Sequence, residues 1–462
     1  MEISTGPSLL RGGATAALAV SLMSLAACSS GGGSLGGGGG GASGAPGNGV
    51  TLVVPTSQAP WNPAYAKVVE AYQKETGNKV TLRPFPNPDV KTQELNDVQS
   101  QKHTFDVYQI NESDIAQFMA NNWVQPMTKV DPGFKPDPKI YSFSNVGRWN
   151  ASTKTFDPNG EIMNQPLLGN VDIFVYRKDI YGKLGLAVPK TWEEVLSNGK
   201  KIKDAGAAKY GGVFRTQGTP GAYAMSYEFQ ALMNSTGGAW FQKPGTNYTP
   251  VASSPAGVKA ATLLRELAQL GPSATTTVGQ AQAIAALQAG DAGQSYLVAA
   301  SAAQLEDPAN SNVAGKIGYA PLPPDPSGRS SSATGLWSLA IPAGLPPERA
   351  KAALDYIKWI TSQKAMTLFT QYGGIPTRSD AYDAPSLSGA TKEALAAVQQ
   401  TAKDLPETPT SLGRYTFSGA MFNIIEPGLQ SIAAGSVQPA EGMQKIQDDL
   451  LALVKKENLP TG

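Results

Sequence analysis

Val50-Thr51-Leu52-Val53-Val54 is an apolar, β-branched run closed by Pro55, and it predicts a first strand. Across Ala64–Thr76 the apolar residues Val68, Val69 and Tyr72 recur at helical spacing until Gly77 stops them. Lys79–Arg83 reads as a second strand, Asp89–Gln101 as a helix and Phe105–Ile110 as a third strand. Alternation of strands and helices predicts an α/β sheet, whose ligands bind in loops beyond the carboxyl ends of the strands. Residues 58–62 and 111–114 occupy such loops. Pro126–Asn164 is rich in Pro, Asp, Asn and Ser with little periodicity, and Val171–Tyr176 resumes as a strand. Beyond Pro255 the pattern is mainly helical: Ala256–Leu270, Gln280–Ala289, Pro347–Phe369, Ala390–Asp404, Phe417–Ala434 and Pro439–Lys456. Short strands at Ile317–Ala320 and Trp337–Ile341 interrupt it.

The N-terminus carries a different pattern. Arg11, an apolar stretch to Leu25 and a small-residue exit form the three parts of a secretory signal peptide. Leu25-Ala26-Ala27-Cys28 resembles the lipobox of bacterial lipoproteins, which implies lipid attachment at Cys28, the only cysteine. Ser29–Gly49 is almost entirely Gly, Ser and Ala, a flexible tether with a typical span of about 25 Å. The expected mature protein is extracytoplasmic and held to the cell membrane by its lipid. Without a second cysteine it has no disulfide and relies on its core. Loss of residues 1–27 removes one charge of each sign, Glu2 and Arg11, so the net charge stays +1. No basic stripe points to nucleic acid.

Further along, Val175–Asp179, Lys183–Leu186 and Pro189–Glu194 resemble the "YNKDLF-KAGL-PPKTWDEL" stretch of the extracellular solute-binding proteins of ABC importers, with Arg177 where Asn is common. Leu287–Ala292, Gly335–Pro342 and Gly374–Arg378 are similar to three later elements of that family, in the same order. The resemblance is to the maltose-binding-protein-like group, lipoprotein type. Asp307–Tyr319 and Gly238–Phe241 are similar to its polyol-binding members.

The resemblance implies two α/β lobes of the type II periplasmic-binding-protein fold, each a mixed sheet flanked by helices, closing on ligand through a hinge of several crossings. Carried onto this chain, residues 50–169 and 324–375 form lobe 1, and 170–323 and 376–462 form lobe 2. Crossings are expected near 169–174, 317–323 and 372–379. The implied partners are a small carbohydrate, an ABC permease and, through the lipid, the membrane; the protein is expected to be a monomer.

A carbohydrate offers hydroxyls and apolar C–H faces, so its site combines aromatic platforms with amides, carboxylates and arginine. Trp61 and Asn62 lie in a strand-exit loop beside Pro60 and Pro63; their alternative role is capping the next helix, but a Trp in a short polar loop favours binding. Asn111 and Glu112 follow the third strand, with a helix cap as the alternative. Asn170 and Asp172 flank the first crossing. Arg215 and Tyr223 sit in a Gly- and Pro-containing loop. Trp240 follows a glycine pair and could instead pack in the core. Tyr296 ends a predicted strand, and Trp337 starts one beside Gly335. Arg414 precedes the last helices and could reach a ligand hydroxyl or a surface carboxylate.

Signals for catalysis are poor. His103 is the only histidine, no Cys/His set suits zinc, and Ser197-Asn198-Gly199-Lys200 lacks its companion motifs. No catalytic residue, cofactor or metal is expected. A lipid-anchored glycoside hydrolase and a receptor for a glycerophosphodiester remain the alternatives to a sugar or polyol receptor.

Overall fold

A computed structural model describes residues 49–219, 223–382, 389–405 and 411–462. The expected signal peptide, Cys28 and most of the expected tether lie outside these residues.

In the first lobe, Thr51–Ser57 and Lys79–Phe85 pair in parallel, from Thr51↔Lys79 to Ser57↔Phe85. Between them runs helix Asn62–Thr76, burying Ala64, Tyr65, Val68, Val69 and Tyr72 on one face. Gly77 ends it at φ 73°, a left-handed conformation that favours glycine. The strand Trp337–Pro342 is buried at all six positions and is antiparallel to Tyr108–Asn111 and to Asn164–Leu168. A strand covered on both faces reads as a near-continuous apolar run, broken here only by the buried Ser338.

In the second lobe, Asp172–Arg177 is the central strand, antiparallel to Gln294–Val298 and to Ile317–Ala320. Helices Met225–Thr236, Pro255–Ala268, Ser418–Ala433 and Pro439–Lys456 pack on one another there, and Gly389–Lys403 lies against Ile317–Ala320. The first and second crossings run side by side. Gly335 N–H donates to the Asn170 carbonyl at 2.8 Å, and Val171 bridges Thr334.

Several expectations need correction. The expected boundary at residue 324 is early, because Asn234 Nδ2 donates to the Ser331 carbonyl and Ser330 N–H to Asp404. The second crossing therefore falls at 332–335. The third is later than 372–379: Tyr141 N–H donates to the Thr377 carbonyl and Ser379 N–H to Lys139. Arg378, 5% exposed, needs Asp137 and Asp380 within 2.9 Å to offset burial of its charge, which holds residues 376–382 on the first lobe. Pro126–Asn164 contains a small antiparallel sheet, Arg148–Asn150 between Thr155–Phe156 and Glu161–Ile162, whose strands are too short to show a period. The helix expected over Pro347–Phe369 is two, Pro347–Ile360 and Gln363–Gln371, because Ser362 Oγ caps the second by accepting from Ala365 N–H. Helix Met225–Thr236 carries no amphipathic signature, since Met225 to Met233 are all buried.

Candidate functional site

Where the crossings meet the loop after Ser57, the lobes enclose a pocket of about 90 Å³. Trp61, Asn111, Asn170, Arg215, Tyr223, Tyr227, Gln280 and Trp337 line it, with Ser57, Gly335, Val298 and Ala300 among the small groups. Outside it opens a vestibule of about 1000 Å³ between residues 58–63 and helix Gln280–Ala289.

Trp337 is set by its strand register opposite Asn111 and Leu168. Trp61 caps helix Asn62–Thr76 and rests on Trp337 with ring centres 6.0 Å apart, tilted by 54°. Tyr65 packs edge-on against Trp61 at 5.8 Å, so both indoles are held rigidly. Asn111 Oδ1 accepts from Ser113 N–H at 3.0 Å and caps the next helix, while the residue also borders the pocket. Asn170 Oδ1 accepts from Ala300 N–H at 3.1 Å, tying the first crossing to the end of strand Gln294–Val298.

The remaining wall comes from helix Met225–Thr236. Buried Glu426 accepts from the N–H groups of Ala224, Met225 and Ser226 at 3.1, 3.0 and 2.8 Å. A carboxylate at a helix N-terminus meets both unpaired donors and the positive end of the dipole. This anchor positions Tyr227 and Glu228, and Tyr223 packs on Tyr227 at 5.4 Å. Burial pushes both tyrosine hydroxyls up, Asp172 adding to the effect at Tyr227 and Glu112 at Tyr223. Tyr227 interacts with the buried Asp172 carboxyl behind it, whereas Ser57 Oγ borders the pocket as a buried polar atom with no hydrogen-bond partner among the described residues. Such atoms are rare in native proteins and mark places where a ligand or water completes the bonding. A Cβ at Gly335 would come within 2.9 Å of Tyr227 Oη, so glycine there lets the hydroxyl approach the backbone.

Six of the residues expected from sequence thus line one pocket: Trp61, Asn111, Asn170, Arg215, Tyr223 and Trp337. Asn62 borders the vestibule, its amide donating to the Ser57 carbonyl at 3.0 Å. Glu112 is buried beside the pocket, accepting from Ser411 Oγ at 2.7 Å, and burial raises its carboxyl. Asp172 is buried behind the pocket, raised first by burial and then by Glu228. Tyr296 and Trp240 lie in the second-lobe core instead: Tyr296 packs on Trp192 and Phe214, Trp240 on Phe229. Arg414 reaches away, donating to the Ser144 carbonyl at 3.1 Å and lying over the Phe156 ring. Tyr227, Glu228 and Gln280 were not anticipated; the absence of helical periodicity hid the first two. Among the described residues no group of His, Cys, Asp and Glu is arranged to hold a metal ion.

Two α/β lobes closing on a pocket of aromatic rings and amides define a two-lobed solute-binding protein. The chain belongs to the bacterial extracellular solute-binding protein family, whose pattern matches residues 56–367. It is 31% identical over 236 residues to a probable amino-acid ABC transporter periplasmic-binding protein of Sinorhizobium fredii, covering half of each chain. It is 25% identical to a mannitol-binding protein of Pseudomonas aeruginosa over 64% of this chain and 66% of that one. Its fold matches a ribitol complex of an ABC transporter solute-binding protein from Agrobacterium radiobacter, with a TM-score of 0.74 and 23% identity. That match covers 88% of this chain and all of the other.

Proposed function

We propose that the chain is the binding subunit of an ABC importer, capturing a small sugar or sugar alcohol between its lobes and delivering it to the permease without chemical change. The pocket itself carries this reading. Paired indoles offer faces to C–H groups, and Ser57, Asn111, Asn170, Tyr227 and Gln280 offer hydrogen bonds to hydroxyls. A volume of about 90 Å³ corresponds to about three waters at their liquid share, which suits a small monomeric ligand better than an oligosaccharide. The mannitol-binding relative and the ribitol complex support the same class. Ligand contacts to both lobes would favour the closed state that a permease reads.

The lipid at Cys28 is proposed as the anchor, with residues 29–49 as the tether that lets the receptor turn. Cys28→Ser is expected to move the protein into the medium with ligand affinity unchanged; a variant that stays on the cell would remove the anchor.

Thermal shift against pentitols, hexitols, monosaccharides and amino acids tests the ligand class. At 100 times its dissociation constant a ligand adds about 2.7 kcal/mol. For a body of about 400 residues unfolding as one unit, that is roughly 3 °C. A shift with amino acids and none with polyols or sugars would overturn the reading. A second reading, a glycerophosphodiester, would need Arg215 at the pocket wall to meet the phosphate.

A further inference from the structure

Arg215 is the one charged side chain among the residues that line the inner pocket. Its Nη1 lies 3.5 Å from Glu228 Oε1, and the Glu228 side chain is 1% exposed, with Oε2 unpartnered. Asp172 is fully buried next to this pair, and among the described residues Tyr227 is its hydrogen-bonding neighbour, with no cation in contact. The groups that act on Asp172 are Glu228, Tyr227 and Arg215; Arg215 alone acts on Glu228 with opposite charge. Tyr296 feels both carboxyls, and its hydroxyl donates to the Glu228 carbonyl at 3.4 Å. Arg414, the other arginine of this region, is committed to Ser144, Phe156 and the field of Glu112.

Two buried carboxyls therefore share one guanidinium. Both cannot be ionised without leaving an unpaired charge in the interior, so one proton stays with the pair. Asp172, deeper and without a cation at contact distance, holds it, and Glu228 neutralises Arg215. The arginine at the pocket wall is therefore already matched by a carboxylate. In the vestibule the single charged lining residue is the carboxylate of Asp307, which repels anions on approach.

We propose that Asp172, Glu228 and Arg215 form a charge-neutral floor that makes this cleft select uncharged ligands and reject phosphate- or sulfate-bearing ones. The proposal rests on the reading of the cleft as the ligand site and deepens it to neutral polyols over their monoesters. Glu228 and Asp172 act here as selectivity residues behind the pocket wall, and Arg215 hydrogen-bonds ligand without offering net charge.

Calorimetry at pH 7.5 with mannitol, ribitol, their monophosphates and inorganic sulfate, on wild type and Glu228→Gln, provides the test. In wild type the neutral polyols are expected to bind at least about tenfold more tightly than their phosphates, and sulfate not to bind. Glu228→Gln unmasks Arg215, so the ratio of phosphate to neutral affinity should rise by about tenfold or more and sulfate binding should appear. Arg215→Gln placed on Glu228→Gln should abolish that sulfate binding. Wild type preferring the phosphate esters, or Glu228→Gln leaving both the ratio and sulfate unchanged, overturns the proposal. If no polyol binds in either charge form, the polyol reading fails, while the sulfate arm still decides the neutral floor. Asp172→Asn, which mimics a protonated carboxyl, controls for folding: it should keep the wild-type melting temperature at pH 5.5. A large loss there would mean Asp172 is ionised and would also overturn the proposal.

Discussion

Replacing Trp337 by alanine tests the pocket and its scaffold together. The indole is 5% exposed and packed on Trp61, whose position in turn depends on Tyr65. Truncating a buried tryptophan costs about 3–5 kcal/mol through lost burial and the cavity left behind. Unfolding entropy of about 2.1 cal/mol/K per residue over roughly 400 residues gives about 0.85 kcal/mol per kelvin. The melting temperature should therefore fall by roughly 4–6 °C, while a fold of this size still forms. Ligand binding should fall much further, because the same substitution removes one stacking face and frees Trp61 to reorient. Trp337→Phe separates the two effects, since it keeps a ring on the strand and part of the stacking energy, about 0.5–1.5 kcal/mol. Thermal melts with and without ligand, and calorimetry at 25 °C, give both quantities. Affinity within threefold of wild type in a folded Trp337→Ala protein would refute the assignment of the indole pair as the ligand platform.

Gly335→Ala places a methyl 2.9 Å from Tyr227 Oη and 3.5 Å from Asn170 Nδ2. The ring must swing into the pocket, so affinity should drop at least about tenfold for a stability loss of about 1–3 kcal/mol; unchanged calorimetric affinity would show that the pocket floor is not at Gly335. Glu228 is pushed up to about 7 by burial, against the pull of Arg215. A carboxyl whose folded value is raised contributes stability that is full below its unfolded value near 4.5 and is lost as pH rises through about 7, at most roughly 3 kcal/mol. Melting curves of wild type and Glu228→Gln from pH 4.5 to 8 should thus diverge in favour of the variant as pH rises, and parallel curves would contradict the raised value. Glu426→Ala leaves the N–H groups of Ala224, Met225 and Ser226 without their acceptor, and hydrogen bonds to a charged group are worth about 1.5–3 kcal/mol each. It should lower the melting temperature by several degrees and weaken ligand binding through misplacement of Tyr227; full affinity would mean that the helix start is held by other contacts.

Much of the fold was legible because its elements announce themselves locally. Helix Asn62–Thr76 has a one-sided apolar pattern and a terminating Gly77, and Pro439–Lys456 has Pro439 at its start and a clean buried stripe. The lobe boundaries were less legible, since crossings are extended segments whose lobe depends on partners distant in sequence. Residues 376–382 stay on the first lobe through Arg378 and its pair with Asp137, a contact no local pattern encodes. The short sheet over residues 148–162 was invisible for a simpler reason: strands of two or three residues are too brief for an alternation to register.

For the site, four of the six legible residues stand at strand ends or in the loops beside them, and Arg215 and Tyr223 stand in a longer loop. Trp61, Asn111, Asn170 and Trp337 stand at the edges of strands or in the loops that leave them, where an α/β sheet places its ligand. Tyr296 shows the limit of that rule. It lies in the middle of strand Gln294–Val298 rather than at a strand end, and since alternate residues of a strand face opposite sides, its side is the core with Trp192 and Phe214. Tyr227 and Glu228 were missed for the converse reason. Their helix is buried on every face, so its sequence shows neither an apolar stripe nor a polar one, and its start is held by Glu426, some 200 residues away. The charge balance of the pocket depends on that long-range anchor: move the helix, and Arg215 loses the carboxylate that neutralises it. Selectivity for uncharged ligands is thus a property of packing between distant segments, whereas the aromatic platform is a property of local sequence.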